Sequence, residues 1–172
     1  MSEKKTIEHA TAEAFLEHYN DTHGTSYQVT EHGDAPDIIA GDGLGNRLQL
    51  EIVMTEDRVG DIQATLGRSD VRSIESLKHH VELVRQGKAE AMQRASSLEG
   101  NVTESLKERL QAKMAKRYGP NTALVIRDTS GVDWNWDLMV GDLKTRFSDQ
   151  LNPFDRGIWL LNRSKDRLFQ LL

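Results

Sequence analysis

Residues 31–51 read EHGDAPDIIAGDGLGNRLQLE, and the pattern within them decides the fold. Pro36 and Asp37 open the run Ile38, Ile39, Ala40. Gly41-Asp42-Gly43-Leu44-Gly45-Asn46 then supplies residues that tolerate the backbone angles of a tight turn. From Arg47 to Met54 the side chains alternate. Leu48, Leu50, Ile52 and Met54 share one face; Arg47, Gln49, Glu51 and Val53 share the other. The segment is therefore a β-hairpin, with Asp37 near the start of its first strand and Glu51 near the end of its second. Two carboxylates held together repel, and a divalent cation between them is the arrangement that best tolerates the pair.

Outward from the hairpin, a helix is expected over residues 11–22, capped by Thr11 and carrying Ala14, Phe15, His18 and Tyr19 at helical spacing. Residues 25–30, β-branched and aromatic, make a first strand. Residues 55–70 are polar and contain two glycines, which reads as a loop. A helix follows from Val71 to about Leu98, with a break at Glu99-Gly100-Asn101. A second helix runs from Thr103, burying Leu106, Leu110, Met114 and Tyr118, and stops at Gly119-Pro120. Residues 122–128 (TALVIRD) form a buried central strand. Residues 130–137, with Trp134 and Trp136, read as a loop, residues 138–151 as a helix, and residues 158–162 and 168–172 as closing strands.

The order helix, three strands, helix, strand, together with Pro36-Asp37, a 13-residue spacer and Glu51-Ile52-Val53, resembles the PD-(D/E)XK nuclease superfamily. The resemblance implies an α/β, restriction-endonuclease-like αβββαβ core, a mixed sheet flanked by helices, over about residues 11–128. Residues 129–172 add a C-terminal helix and strand extension to the same single domain. It further implies a metal-dependent nuclease with Asp37 and Glu51 as ligands of Mg²⁺ or Mn²⁺. The Ile52 carbonyl would be a third ligand, and Glu17 or Glu13 an acid from the first helix. Glu31 and Asp34 lie just upstream of the motif. The motif lysine is replaced by Val53. Two readings stay open. The positive charge comes from elsewhere, with Arg47, Arg58, Arg68 and Lys78 as sources and Gln49 orienting a water; or the chain keeps the fold without catalysis and binds nucleic acid or a protein.

Composition narrows the classes. The 172 residues contain 37% hydrophobic and 28% charged side chains and no cysteine. Disulfides, thiolate metal sites and cysteine nucleophiles are thereby excluded. No apolar run approaches the ~20 residues of a membrane span, and the first residues lack a signal-peptide core, so a cytoplasmic protein without membrane contact is expected. The net charge of −5 confines nucleic-acid binding, DNA more than RNA, to a local basic patch. Arg109, Lys113 and Lys116, at i, i+4 and i+7, form a stripe that could contact phosphates; the same spacing also describes an ordinary solvated helix face. His79 and His80, adjacent on a helix, point about 100° apart and do not chelate one ion.

Overall fold

The computed structural model describes residues 3–55, 86, 95–128, 135–162 and 166–172. Among these residues six strands form one mixed sheet in the order of their sequence, with helices on its two faces. The elements are α1 (Glu3–His23), β1 (Gln28–His32), β2 (Ile38–Gly41), β3 (Arg47–Met54), α2 (Ala95–Met114), β4 (Thr122–Asp128), α3 (Trp136–Phe147), β5 (Ile158–Asn162) and β6 (Arg167–Gln170). Strands β1, β2 and β3 pair antiparallel, β3–β4 and β4–β5 pair parallel, and β6 closes antiparallel on β5. No helix among the described residues is long and apolar enough to cross a membrane.

The alternation read from β3 sorts side chains between two cores. Leu48, Leu50 and Ile52 join Ile38, Ala40, Ala123 and Val125 beneath Ala12, Phe15, Leu16 and Tyr19 of α1. On the opposite face Leu124 and Ile126 of β4 meet Leu106 and Leu110 of α2 and Met139, Leu143 and Phe147 of α3, with Val53 packed against them. Strand β4 is buried along Thr122–Ile126 because both its faces are covered, which is what a near-continuous apolar run specifies.

Several boundaries differ from expectation. Helix α1 begins at Glu3, so Thr11 lies within it; its hydroxyl donates to the Ile7 carbonyl at 2.7 Å, the i−4 back-bond that competes with capping. Helix α2 runs through Glu99-Gly100-Asn101 without a break. One glycine costs a helix only about 1 kcal/mol, which tertiary packing readily offsets. Trp136 opens α3 rather than lying in a loop: Asn135 caps the helix by accepting from Leu138 N, and the Trp136 indole is buried and donates to Asp128 Oδ2 at 2.8 Å. That helix ends at Phe147, four residues before the expected stop. Strand β1 is displaced to Gln28–His32, with a register shift between Val29 and Glu31. The expected loop over residues 55–70 beyond Thr55, residues 71–85 and 87–94 of the helix expected from Val71 to about Leu98, and Trp134 lie outside the described residues; residues 95–98 of that helix belong to α2.

Candidate metal and phosphate site

Asp37 and Glu51 meet as the hairpin requires. The β2–β3 register pairs Ile38 with Leu50, so one step further Asp37 stands opposite Glu51. Both are buried, at 9% and 7% exposure, on the face that looks toward α2 rather than α1. The Asp37 carboxylate is held through Oδ2, which accepts from the Ile52 backbone N–H at 2.8 Å. Gln49 N–H donates to Asn121 O on the β4 side of β3. Alternation along the strand therefore turns the N–H and C=O of Ile52 toward β2, placing the Ile52 carbonyl on the same strand edge as Asp37.

A positive charge reaches Glu51 from α2. Lys113 Nζ lies 2.7 Å from Glu51 Oε2, with side-chain exposures of 25% and 9% for the lysine and the glutamate. One turn earlier, Arg109 donates to the Met54 carbonyl at the end of β3. Both basic side chains turn toward the sheet, where they line one small cavity with Leu106, Leu110 and Val53. Long basic side chains bury their methylenes in this way while keeping the charge at a polar partner. The single exposed stripe of Arg109, Lys113 and Lys116 is thus not formed; Lys116 alone of the three is exposed.

Beyond α2 the chain passes back along the site. Lys116 N bonds Lys113 O, and the helix ends. Tyr118 then packs against Phe154, with ring centroids 4.3 Å apart and the ring planes tilted by 33°. Its hydroxyl oxygen is buried and has no hydrogen-bond partner among the described residues. Burial first, and then the charges of Glu51 and Asp37, push the phenol up to about 12. Gln49, on the face of Glu51, rests against Gly119 and donates to the Pro120 carbonyl at 3.4 Å.

Other expected contributors among the described residues are not brought to the carboxylates. Glu17 is exposed on α1, whose helix covers the opposite face of the sheet; the two-residue period of β3 separates it from Glu51. Glu13 pairs with His9 on the same helix, and His9 in turn stacks on His32. Glu31 pairs with Arg47 at 3.3 Å on the surface, so that arginine is not the site's cation, and Asp34 is exposed. Arg58, Arg68, Lys78, His79 and His80 lie outside the described residues. Sequence reading missed Lys113 as a partner of Glu51 and missed Tyr118 as a polar group. The stripe reading set Lys113 with Arg109 and Lys116 on the side of the helix away from Leu106 and Leu110, whereas its ammonium meets Glu51 of the sheet.

The donor set suits a hard cation. Asp37 and Glu51 each have one oxygen engaged, which leaves Asp37 Oδ1 and Glu51 Oε1 without a hydrogen bond from the described residues. No cluster of three or more His, Cys, Asp or Glu ligands exists among the described residues. Two carboxylates with a backbone carbonyl are what Mg²⁺ takes from a protein when water and substrate phosphate complete its shell; they are too few for an all-protein cage. Comparison with protein-family models, with curated proteins and with solved structures finds no match to this chain.

Proposed function

We propose that this protein is a divalent-metal-dependent phosphodiesterase acting on nucleic acid, DNA before RNA, with a restriction-endonuclease-like core. The observation that carries the reading is Lys113 at 2.7 Å from Glu51, with Asp37 opposite. An acid pair at the edge of β2 and β3 gains from a helix the ammonium that Val53 cannot supply. The order α1-β1-β2-β3-α2-β4, with β3 and β4 parallel, supports the same reading, because it repeats the element order of the PD-(D/E)XK core.

Bound Mg²⁺ or Mn²⁺ polarises a phosphate and lowers the pKa of a coordinated water. Asp37 Oδ1, Glu51 Oε1 and the Ile52 carbonyl would hold it. Lys113 fixes the Glu51 carboxylate and presents its remaining N–H donors to an anionic oxygen beside it. Gln49, steadied by Pro120, offers a neutral amide on the same face for orienting a water. Two carboxylates against one ammonium leave an excess of negative charge. This excess at Asp37 and Glu51 would favour a divalent cation, whose charge would in turn favour a phosphodiester at the same place. Lys116 and Arg117, exposed where the chain leaves α2, extend positive charge outward for the backbone of the substrate.

The test is calorimetric titration of Mg²⁺ and Mn²⁺ into the wild type and into the Asp37→Ala, Glu51→Ala double variant. Each is measured alone and with a phosphorothioate oligonucleotide that can complete the metal shell. Binding in the wild type that disappears in the double variant, with metal-dependent cleavage of a DNA substrate, is the expected result. Absence of metal binding at millimolar concentration even with the oligonucleotide refutes the activity.

A further inference from the structure

Away from the acid pair, two imidazoles join α1 to β1. His9 Nδ1 lies 2.9 Å from His32 Nε2, with ring centroids 4.9 Å apart and ring planes inclined by 25°. Both rings stand on regular elements. His9 is on α1, which Ala12, Phe15 and Leu16 seat on the sheet. His32 ends β1 opposite Ile38, a residue of the core beneath α1, so the two share that face. Gly33 follows, and its N–H closes on the Asp37 carbonyl at 3.0 Å. A Cβ at position 33 would lie 2.5 Å from the Pro36 carbonyl oxygen, so this short loop is built around a glycine. Side chains carried on such elements keep their geometry better than those on open loops.

Glu13 sets what His9 offers. Its Oε1 lies 3.3 Å from His9 Nε2, one helical turn away. By accepting from that nitrogen it keeps the ring proton there and leaves the Nδ1 lone pair toward His32. A carboxylate behind the ring is the usual support of a metal-ligating histidine. His32 makes no other hydrogen bond through its ring among the described residues, where its Nδ1 is buried and unbonded. The polar chemistry of that ring is directed at His9 alone. Imidazole nitrogens lie about 2.0–2.1 Å from a divalent transition metal, and two that meet one ion at right angles stand about 2.9 Å apart. His9 Nδ1 and His32 Nε2 have that separation.

We propose that His9 and His32 are the two protein ligands of a transition-metal cation of the imidazole-preferring class, Zn²⁺, Ni²⁺ or Cu²⁺, with Glu13 supporting His9. Water completes the coordination, which the 35% exposure of the His9 side chain permits. The site differs in kind from the acid pair. Imidazole nitrogen suits these ions, whereas carboxylate and carbonyl oxygens suit Mg²⁺ and Mn²⁺. It also lies on the α1 face of the sheet, opposite Asp37 and Glu51, and does not rest on the phosphodiesterase reading. An ion held there would tie the first helix to the edge strand. The competing occupant of the gap is a single proton, which makes the contact an N–H···N hydrogen bond and nothing more.

The experiment is calorimetric titration of Ni²⁺ into the untagged full chain in excess Mg²⁺, which competes for carboxylate sites. His9→Gln, His32→Gln and Glu13→Gln are titrated alongside, with His18→Gln on the same helix as the control. The expected result is a wild-type site whose affinity falls roughly tenfold in Glu13→Gln, the low end for a carboxylate supporting a ligand, and further in either histidine variant. His18→Gln should bind as the wild type does. The sequence has six histidines, and in the wild type Ni²⁺ should broaden the ring resonances of His9 and His32, each identified by its variant, before the others. Affinity unchanged in both His9→Gln and His32→Gln, or broadening confined to other histidines, overturns the assignment. No Ni²⁺ binding by the wild type also overturns it and leaves the pair as a hydrogen bond. Melts of the metal-free chains show whether a variant has lost its fold; where His32→Gln has, His9→Gln and the wild-type broadening decide. None of these outcomes bears on the phosphodiesterase reading.

Discussion

Replacing Lys113 by methionine separates the two things this side chain does. Methionine keeps most of the stem that lines the small cavity with Leu106, Leu110 and Val53, and it removes the ammonium from Glu51 Oε2. Breaking a fully buried ion pair from one side costs about 3–5 kcal/mol, whereas exposed pairs contribute about 0–1 kcal/mol. Glu51 is nearly enclosed but Lys113 is a quarter exposed, so screening reduces the cost to about 2 kcal/mol. For a chain of this size that corresponds to a fall in melting temperature of roughly 4–8 °C. The same substitution should tighten Mg²⁺ binding, because a unit positive charge about 4 Å from the ion opposes it by on the order of 1 kcal/mol even in water, roughly fivefold in Kd. Cleavage should nevertheless fall by about 10²–10³, the usual loss when a preorganised donor to developing negative charge is removed. Calorimetric metal titration, thermal melts and single-turnover cleavage on the same preparation read all three. Metal affinity that falls in Lys113→Met would refute the arrangement, since it would make the lysine a support of the metal site rather than a charge competing with it. A double-mutant cycle with Glu51→Gln giving a coupling below about 0.5 kcal/mol would refute the ion pair itself.

Three further outcomes follow from the geometry. Glu17→Ala should leave Mg²⁺ affinity unchanged in the same titration, because Glu17 is exposed on α1, across the sheet from Asp37 and Glu51. Gly157→Ala should destabilise by about 2–3 kcal/mol in a urea melt: Gly157 has φ +89°, and a Cβ there would lie 2.9 Å from the Leu172 carbonyl oxygen and 3.0 Å from Trp159 Nε1. In metal-free protein, tyrosinate absorbance near 295 nm should show Tyr118 ionising at about 12, above the ordinary value of 10.0. Because the folded value is the higher one, the associated stability is complete below pH 10 and is lost as the pH rises through 12. Tyr118→Phe should remove that step from the titration.

Local rules read the hairpin well because its determinants are local. The glycine turn, the two-residue alternation and the positions of Asp37 and Glu51 lie within residues 31–54, and the antiparallel register follows from them. Strands β4 and β5 were legible for a related reason: their apolar runs demand cover on both faces. The element boundaries moved where a specific bond or the packing overruled a local signal, as at Trp136, whose buried indole donates to Asp128. The α/β class was legible in the alternation of strand and helix patterns, whereas the mixed sheet was an expectation from the family resemblance alone.

What the amino-acid sequence determined by itself is therefore the acid pair and the strands that present it. What only the tertiary structure decided is the charge that answers the pair. Lys113 and Glu51 are 62 residues apart; the apolar spacing of Leu106 and Leu110 gives the side of α2 that meets the sheet, but no local signal names the partner that Lys113 meets there. A lysine stem is apolar enough to pack inward and its ammonium polar enough to face water, so periodicity permits both placements. The choice was made when Leu106 and Leu110 seated α2 over β3 and β4, carrying Lys113 onto Glu51.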